Sequence, residues 1–412
     1  TAEGALTEVH SMLQRMNELA VQAANGTNSK DTDRKAIQDE IDQLNTEIDR
    51  VAETTKFNEI YLLKGDDGEK TVNMKAHDAG LKGTLTDNGD GTATFKMDTL
   101  NAGDTVSIGG KNYTIGGEAA DVTDMLTKAG ITDAAGDKVT INGKEYTYCE
   151  NASDGKTALT HKGYYETAPD TANAATANPA YADSAAIAAA KSATISVGTK
   201  SITTIDDTKA DGIDDNDTSV ITKQKAYELA GKELLAANQI GDTEGNAEVK
   251  NGDKTDLAYN AGDGTFNIKV GQAKVANTLS FSLHVGADAD MTNKITVDIE
   301  TMNSANLGIK GLNVTDKNGS AATYAIDAIS DAISKVSSQR SALGAVQNRL
   351  EHTIDNLDNI SENTSSAESR IRDTDMAKEM VNYSKNNILA QAGQSMLAQA
   401  NQSNQGVLSL LQ

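Results

Sequence analysis

The chain has 412 residues, including no Trp, four Phe and one Cys, and its 60 acidic residues against 37 Lys and Arg give a formal charge of −23. This charge disfavours nucleic acid and anionic membranes as partners, because both are bound through basic surfaces, and the single Cys excludes an internal disulfide framework. Solubility is the simplest interpretation of the acidity, and the few aromatic residues argue against one large globular core.

Two amphipathic helices are predicted at the start of the chain. Apolar residues alternate in steps of three and four from Leu6 to Ala23, and the pattern stops at Asn25-Gly26-Thr27-Asn28, as expected for a helix C-cap. The same spacing returns from Ile37 to Val51 and is typical of the seam of a coiled coil or bundle. Because the chain opens inside a helical pattern, without Met, we expect that a helical segment precedes it in the whole protein.

Residues 65–277 are predicted to form a β-rich insert. Asp104–Gly116 and Asp137–Cys149 repeat one another as strand, Gly-Gly or Asn-Gly turn, and strand, which is a strong hairpin signal. A weaker third copy covers Thr194–Thr203. Helices are predicted over Asp121–Lys128, over Lys223–Asn238, and after an Ala-rich loop within Thr171–Ala190.

A last hairpin, Leu279–Val285 with Lys294–Ile299, is predicted to return the chain to a long helix. Apolar residues recur in three- and four-residue steps from Ile326 to Leu357. A helix over Tyr324–Asn363 would be about 60 Å long, so it must pack lengthwise, and the two N-terminal helices are its expected partners. All seven Arg residues lie in these helical ends.

The final segment, from Gln339 onward, reads as helix and ends in an apolar run from Val407. An apolar helical tail needs a cover, which indicates a function in assembly. In the isolated chain we expect the tail from about Asp375 to lack fixed structure, because helices without tertiary contacts are marginal in water. The predicted assembly residues are Met376, Met380, Ile388, Leu389, Met396, Leu397, Val407, Leu408, Leu410 and Leu411.

These patterns predict a mainly α, elongated helical bundle or coiled coil formed by both chain ends, with a large β-rich α+β insert of hairpin-containing domains. We expect residues 1–64 to form the first part of the bundle and 65–277 to form the insert of two or more subdomains. We expect residues 278–372 to form the bundle-side hairpin and the rest of the bundle, and 373–412 to form a C-terminal helix that is unpaired in this chain.

No catalytic, cofactor or metal site is predicted. The sequence has no His-Glu-x-x-His pair, phosphate-binding loop or nucleophile elbow, and Cys149 is interpreted as a packing residue. Asp87–Gly91 and Asp211–Asp217 resemble calcium loops but lack oxygen ligands at required positions. We interpret the first as a hairpin turn and the second as a solvated loop.

Both chain ends resemble bacterial flagellin, the subunit of the flagellar filament. The matching motifs are Thr1–Leu6, Leu13–Asn28, Ile37–Ile41, Glu47–Arg50 and Thr55–Asn58 at the start, and Leu343–Arg349, Ala367–Met376 and Ala398–Leu411 at the far end. The resemblance implies a structural protein of motility whose ends build an inner coiled-coil shell. It also implies that the insert, residues 65–277, is variable and surface-exposed, and that residues 373–412 are the C-terminal core helix. It also identifies the expected missing segment as the N-terminal core helix that pairs with the tail.

The resemblance implies a secreted, extracellular protein of the bacterial flagellum. The implied partners are other flagellin subunits, the flagellar cap, hook-junction proteins and an export chaperone. Two alternatives remain open: a hook–filament junction-type flagellar protein, and a flagellin with an enzymatic surface insert.

The family also carries a site recognised by the innate immune Toll-like receptor 5. Its Gln-Arg-x-x-Glu-Leu motif and a second-helix acidic position fall on Gln14, Arg15, Glu18, Leu19 and Glu40. On the residues alone, Arg15, Glu18, Arg34, Glu40 and Arg50 are also typical of a solvated, ion-paired helix face. Asn17 and Gln412 depart from Arg residues that are frequent at those places in the family.

Overall fold

A computed structural model describes residues 1–25, 27, 32–259, 262–286, 293–316 and 318–410, with positions 373, 374, 408 and 410 described by their backbone alone. The chain divides into two units, Thr1–Ser280 with Asp298–Arg340 and Phe281–Val297 with Ser341–Gln412. Within the described ranges, no helix has the length and apolarity needed to cross a bilayer.

The helices are α1 Ala2–Ala24, α2 Asp33–Thr54, α3 Ala119–Lys128, α4 Ser184–Ala188, α5 Lys223–Asn238, α6 Ser304–Leu307 and α7 Ser320–Leu410, with a 3₁₀ turn over Thr171–Asn173. The strands up to residue 115 are β1 Lys56–Phe57, β2 Ile60–Tyr61, β3 Asp66–Asn73, β4 Gly83–Asp87, β5 Thr92–Met97, β6 Thr105–Ile108 and β7 Lys111–Ile115. The next are β8 Lys138–Ile141, β9 Lys144–Asn151, β10 Ala158–Tyr165, β11 Thr194–Val197, β12 Lys200–Thr203 and β13 Val220–Ile221. The last are β14 Glu248–Asn251, β15 Thr265–Lys269, β16 Gln272–Asn277, β17 Leu279–His284 and β18 Lys294–Ile299.

The terminal helices pack together in the first unit, as the apolar spacing predicts. The predicted stripe of α1, including Leu6, Leu13 and Met16, is fully buried, and so is the first part of α7 at Ile329 and Val336. An ion pair of 2.8 Å between Arg340 Nη2 and Glu3 Oε1 joins α7 to α1. The predicted mainly α fold of the chain ends with a β-rich insert is therefore confirmed.

The insert contains separate small cores. Strands β14-β15-β5-β4 form one sheet, β13-β7-β6 form another, and α5 packs with them through a core that includes Phe95, Phe266 and Leu234. A five-stranded sheet, β10-β9-β8-β11-β12, shares a second core with α3 and α4 around Val122 and Ile187. Several small cores match the low aromatic content of the chain.

The repeated segments are hairpins, as predicted. Ile108 pairs with Lys111 in the β6–β7 hairpin, and Ile141 pairs with Lys144 in the β8–β9 hairpin, so each turn has two central residues. Both central residues have positive φ in each turn, at 56° and 73° for Gly109-Gly110 and at 51° and 80° for Asn142-Gly143. These values fit the turn type that Gly-Gly and Asn-Gly favour.

The first and last strands of the insert pair with each other. Strands β3 and β16 run antiparallel, with Asn73 opposite Gln272 and Asp66 opposite Asn277. Their apolar residues pack with α6 in a small core that includes Ala273, Val275 and Ala305. The first and last strands of the insert therefore lie side by side, next to α6.

The second unit contains a two-stranded sheet of β17 and β18 and the long C-terminal part of α7. The segment from about Asp375, which the sequence predicts to lack fixed structure in the isolated chain, is helical in the structure, where α7 continues to Leu410. The segment contains no Pro, and a helix that extends an existing one does not pay the cost of nucleation. The predicted domain boundaries stay predictions.

Candidate functional site

A large exposed apolar surface covers the C-terminal part of α7. The tail surface is defined here by Met376, Met380, Ile388, Leu389, Met396, Leu397 and Val407, whose exposed fractions range from 59% to 70%. The side chains of Leu408 and Leu410, and all of Leu411, lie outside the described residues. Exposed apolar patches of this kind mark interaction surfaces.

The tail surface is not confined to one side of the helix. At 3.6 residues per turn, Met380 lies about 40° around the axis from Met376, Ile388 about 120°, Leu389 about 220° and Leu397 about 300°. The apolar side chains therefore point to several sides of the helix, between polar residues. A surface of this kind can contact several neighbours, whereas a single apolar stripe faces one.

Further exposed apolar side chains on the same helix were missed by the sequence reasoning. Ile371, Val381 and Tyr383 are each exposed by more than 65%. Val381 precedes Ile388 by seven residues and Tyr383 follows Met380 by three, so helical spacing could have found both. Their exposure extends the apolar character of the tail.

A second cluster of predicted residues lies between α1 and α2. Arg15 Nε donates a hydrogen bond of 2.9 Å to Glu40 Oε1, and Arg15 Nη1 lies 3.3 Å from Glu18 Oε2. The hydrogen bonds to Glu40 and then to Glu18 raise the pKa of Arg15 above its ordinary value. We call Arg15, Glu18 and Glu40 the charged triad, and Gln14 is exposed beside it.

Leu19 differs from its predicted neighbours in this cluster. Its exposed fraction is only 2%, because the position follows the apolar stripe of α1 that faces α2. Leu19 is therefore a packing residue of α1 in the free chain, and its place in a receptor-binding face stays a prediction.

Arg34 is buried, so its interpretation as part of a solvated face is wrong. Its exposed fraction is 1%, and Nε donates a hydrogen bond of 2.8 Å to the carbonyl oxygen of Ala23. Nη1 donates a hydrogen bond of 2.9 Å to the carbonyl oxygen of Asp316, and Nη2 donates one of 3.2 Å to the carbonyl oxygen of Asn25. The last carbonyls of a helix lack intrahelical donors and attract cations, which explains a buried guanidinium at the end of α1.

The acidic loop Asp211–Asp217 is also less solvated than predicted. Asp214 is 1% exposed, and its carboxylate accepts hydrogen bonds from the Ser192 hydroxyl and the Asp206 amide. The amides of Asn216 and Asp217 donate to its other oxygen. Burial alone would raise the pKa of Asp214, but these hydrogen bonds outweigh it and hold the pKa below the ordinary value.

The described residues bring together no group of three or more His, Cys, Asp or Glu side chains that could hold a metal ion. Cys149 is half-buried in β9, with Sγ 3.4 Å from the carbonyl of Thr147, and burial raises the pKa of its thiol. A raised pKa leaves less of the reactive thiolate. The packing interpretation of Cys149 is consistent with this environment.

Comparisons with known proteins match both helical ends. The family described as "Bacterial flagellin N-terminal helical region" matches residues 1–67, and "Bacterial flagellin C-terminal helical region" matches residues 326–411. The chain is 35% identical to a flagellin of Clostridium tyrobutyricum over 410 residues, covering 98% of this chain and 80% of that protein. It is 30% identical to flagellin B of Vibrio anguillarum over 413 residues, covering 100% of this chain and 80% of that protein.

Among solved structures, FliC from Burkholderia pseudomallei shares 15% sequence identity with the chain at a TM-score of 0.28. That match covers 84% of this chain and 96% of the other.

Proposed function

This chain belongs to the bacterial flagellin family and is a structural subunit of the flagellar filament, and from that premise we propose that the tail surface is where subunits pack around one another. The observation that carries the proposal is the exposure of seven large apolar side chains by 59% to 70% on a helix. Burying one such side chain stabilises a complex by about 1.5–3 kcal/mol before the costs of association.

Packing on several sides has a specific experimental signature. Met380 and Leu389 lie about 180° apart around the helix, so a single helix–helix seam would use one of them and not the other. We expect Met380→Asp and Leu389→Asp each to abolish self-association in sulfate buffer, which strengthens apolar burial. Sedimentation velocity of the full chain measures the effect.

Thr160→Asp is the matched control, because it adds the same charge at an exposed position of β10, and it should associate like the wild type. Association of both tail variants at wild-type level would contradict the proposal. Loss in only one variant would favour a single seam over neighbours on several sides.

The same exposure supports the specific partners proposed here. Before assembly, the tail surface needs a cover against aggregation, and we propose that an export chaperone supplies it. The proposed partners in the assembled state are the cap and the hook-junction proteins, in addition to other subunits. The filament is extracellular, and we propose that the chain reaches it by flagellar secretion and has no catalytic activity of its own.

We further propose that the charged triad, with Gln14 beside it and Leu19 of the same helix, forms part of a face recognised by Toll-like receptor 5. The family motif on these positions supports the proposal, and so does the geometry, because Arg15 is half-exposed and held by two carboxylates on different helices. Two ion pairs restrict the guanidinium, so less side-chain entropy is lost when a partner binds.

Arg15→Ala should weaken binding of the receptor ectodomain by about tenfold or more, because a central Arg at an interface commonly contributes over 1 kcal/mol. Surface plasmon resonance measures the affinity, and circular dichroism checks that helix content is unchanged. Arg50→Ala is the control, since among the described residues the ion pair of Arg50 is with Glu47 of its own helix. Equal affinities for Arg15→Ala and wild type would refute the assignment.

A further inference from the structure

A cavity of about 250 Å³ lies in the first unit, where α7 faces the chain after β3 and the end of α6. Its apolar lining includes Met74, Ile240, Leu307 and Ala328. Gly308, which ends α6 at a φ of 76°, also lines the cavity, and a Cβ there would come within 2.9 Å of Met74 Sδ. Glycine therefore keeps this wall open.

Among the described residues, the ammonium of Lys335 beside the cavity makes no ion pair within 4.0 Å. Lys335 Nζ donates a hydrogen bond of 2.7 Å to the neutral carbonyl of Asn306, and burial lowers the pKa of Lys335. Among the described residues, no carboxylate oxygen lies within 4.0 Å of this ammonium, whereas Asp331 at the rim is paired with Lys75 at 2.8 Å. An ammonium holds three donors, so Lys335 can serve a further acceptor.

The size of the cavity limits what it can hold. An apolar cavity of about 150 Å³ accommodates benzene, and sites for drug-sized ligands start at about 300 Å³. A cavity between these limits suits a molecule of about six to nine non-hydrogen atoms. The hydroxyls of Ser334 and Ser338 also line it and can donate hydrogen bonds to an anionic head group.

We propose that this cavity binds a short aliphatic monocarboxylate, with its carboxylate on Lys335 and its chain among Met74, Ile240, Leu307 and Ala328. The carboxylate supplies a second, anionic acceptor to the half-buried ammonium, and charge-assisted hydrogen bonds are about twice as strong as neutral ones. The alkyl chain removes apolar wall surface from water. None of these residues belongs to the tail surface or to the charged triad.

The test uses hexanoate and 1-hexanol as probes that differ in the charged head group. Titrations of the full chain followed by NMR should give a dissociation constant for hexanoate in the low millimolar range or below, and binding of 1-hexanol at least tenfold weaker. Lys335→Met keeps the apolar stem and removes the charge, so hexanoate should bind it no better than 1-hexanol does. Lys335→Arg should retain affinity within about threefold, since the positive charge remains.

Lys128→Met, which removes an exposed lysine of α3, should bind hexanoate like the wild type, and thermal melting confirms that each variant is folded. The proposal is overturned if hexanoate at about 10 mM does not bind the wild type. It is also overturned if the two probes bind the wild type equally, or if Lys335→Met leaves the affinity for hexanoate unchanged.

Discussion

The guanidinium of Arg34 joins three parts of the first unit: the end of α1, the start of α2 and the segment that precedes α7. Gly319, with a φ of 80°, lets that segment approach closely, since a Cβ there would lie 3.0 Å from Arg34 Nη2 and from the carbonyl of Ala24. One side chain thus satisfies carbonyl groups that are far apart in sequence.

Replacing Arg34 should therefore be costly. Arg34→Met keeps the length of the side chain but leaves buried carbonyls without donors, and hydrogen bonds to charged groups contribute about 1.5–3 kcal/mol each. We expect the free energy of unfolding to fall by about 3 kcal/mol or more, measured by urea denaturation. Arg50→Met, which removes an exposed ion pair, should change the free energy of unfolding far less; equal losses in both variants would contradict the role of Arg34.

Asp214 gives a prediction about pH. Its folded-state pKa is lowered, so its stabilising contribution is complete above the unfolded pKa of about 3.9 and is lost as the pH falls through the folded value. Asp214→Asn should lower the free energy of unfolding by about 1–3 kcal/mol at pH 7, because buried donors lose an acceptor.

Urea denaturation at pH 7 and below pH 4 measures the difference between the wild type and Asp214→Asn. The difference should shrink at the lower pH, as the wild-type carboxylate becomes protonated. A difference that stayed constant over this range would show that the charge of Asp214 does not contribute.

The burial of a single side chain could be predicted from the sequence where its neighbours in the fold are also its neighbours in the chain. The burial of Leu6 and Leu13 follows from helical spacing, which is a local property. Arg34 and Asp214 were misjudged because some of their partners, Asp316 and Ser192 among them, are distant in sequence. Charged residues are almost always exposed, so the pattern alone favoured the wrong environment.

At the scale of elements, the first part of α7 and its tail differ in how far their apolar side chains are buried. Its first part is buried at Ile329 and Val336, whereas its tail exposes apolar residues that nothing in the described chain covers. A helix without tertiary contacts opens readily, since packing supplies most helical stability in proteins.

Hydrogen exchange should reveal this difference. Amides from Met376 to Val407 should show protection corresponding to about 1 kcal/mol or less, whereas amides of Leu13 and Met16 in α1 should approach the stability of the whole unit. Mass spectrometry after pulses of deuterium labelling resolves the two regions. Strong protection of the tail in the monomeric chain would contradict this expectation.

The hairpins were predictable as elements, but their arrangement was not. The Gly-Gly and Asn-Gly turns specify where each chain reversal occurs, because they tolerate positive φ at both central positions. Strand β8 pairs with β11 from a later part of the chain, and β13 joins β7 in parallel. These pairings depend on side-chain packing within each core and leave no mark in local sequence.

At the scale of the whole molecule, composition anticipated the separation of helical ends from a β-rich insert. The absence of Arg from the insert and its density of turn residues both indicated a change of architecture. The low aromatic content favoured several small cores, and the insert contains such cores around Phe95 and around Val122. The apolar tail indicated assembly, but its all-round character became clear only from helical geometry.

The pairing of β3 with β16 has a consequence for how this protein can vary. The two strands hold the ends of residues 66–277 side by side, at the spacing of about 4.8 Å that neighbouring strands keep. Since that closure is made by the strands themselves, doubling the length of what lies between would cost only about 0.6 kcal/mol more in chain entropy. In evolution or by protein engineering, the residues between β3 and β16 can therefore be replaced by another domain whose termini lie close together. The helical ends that form the filament would stay unchanged.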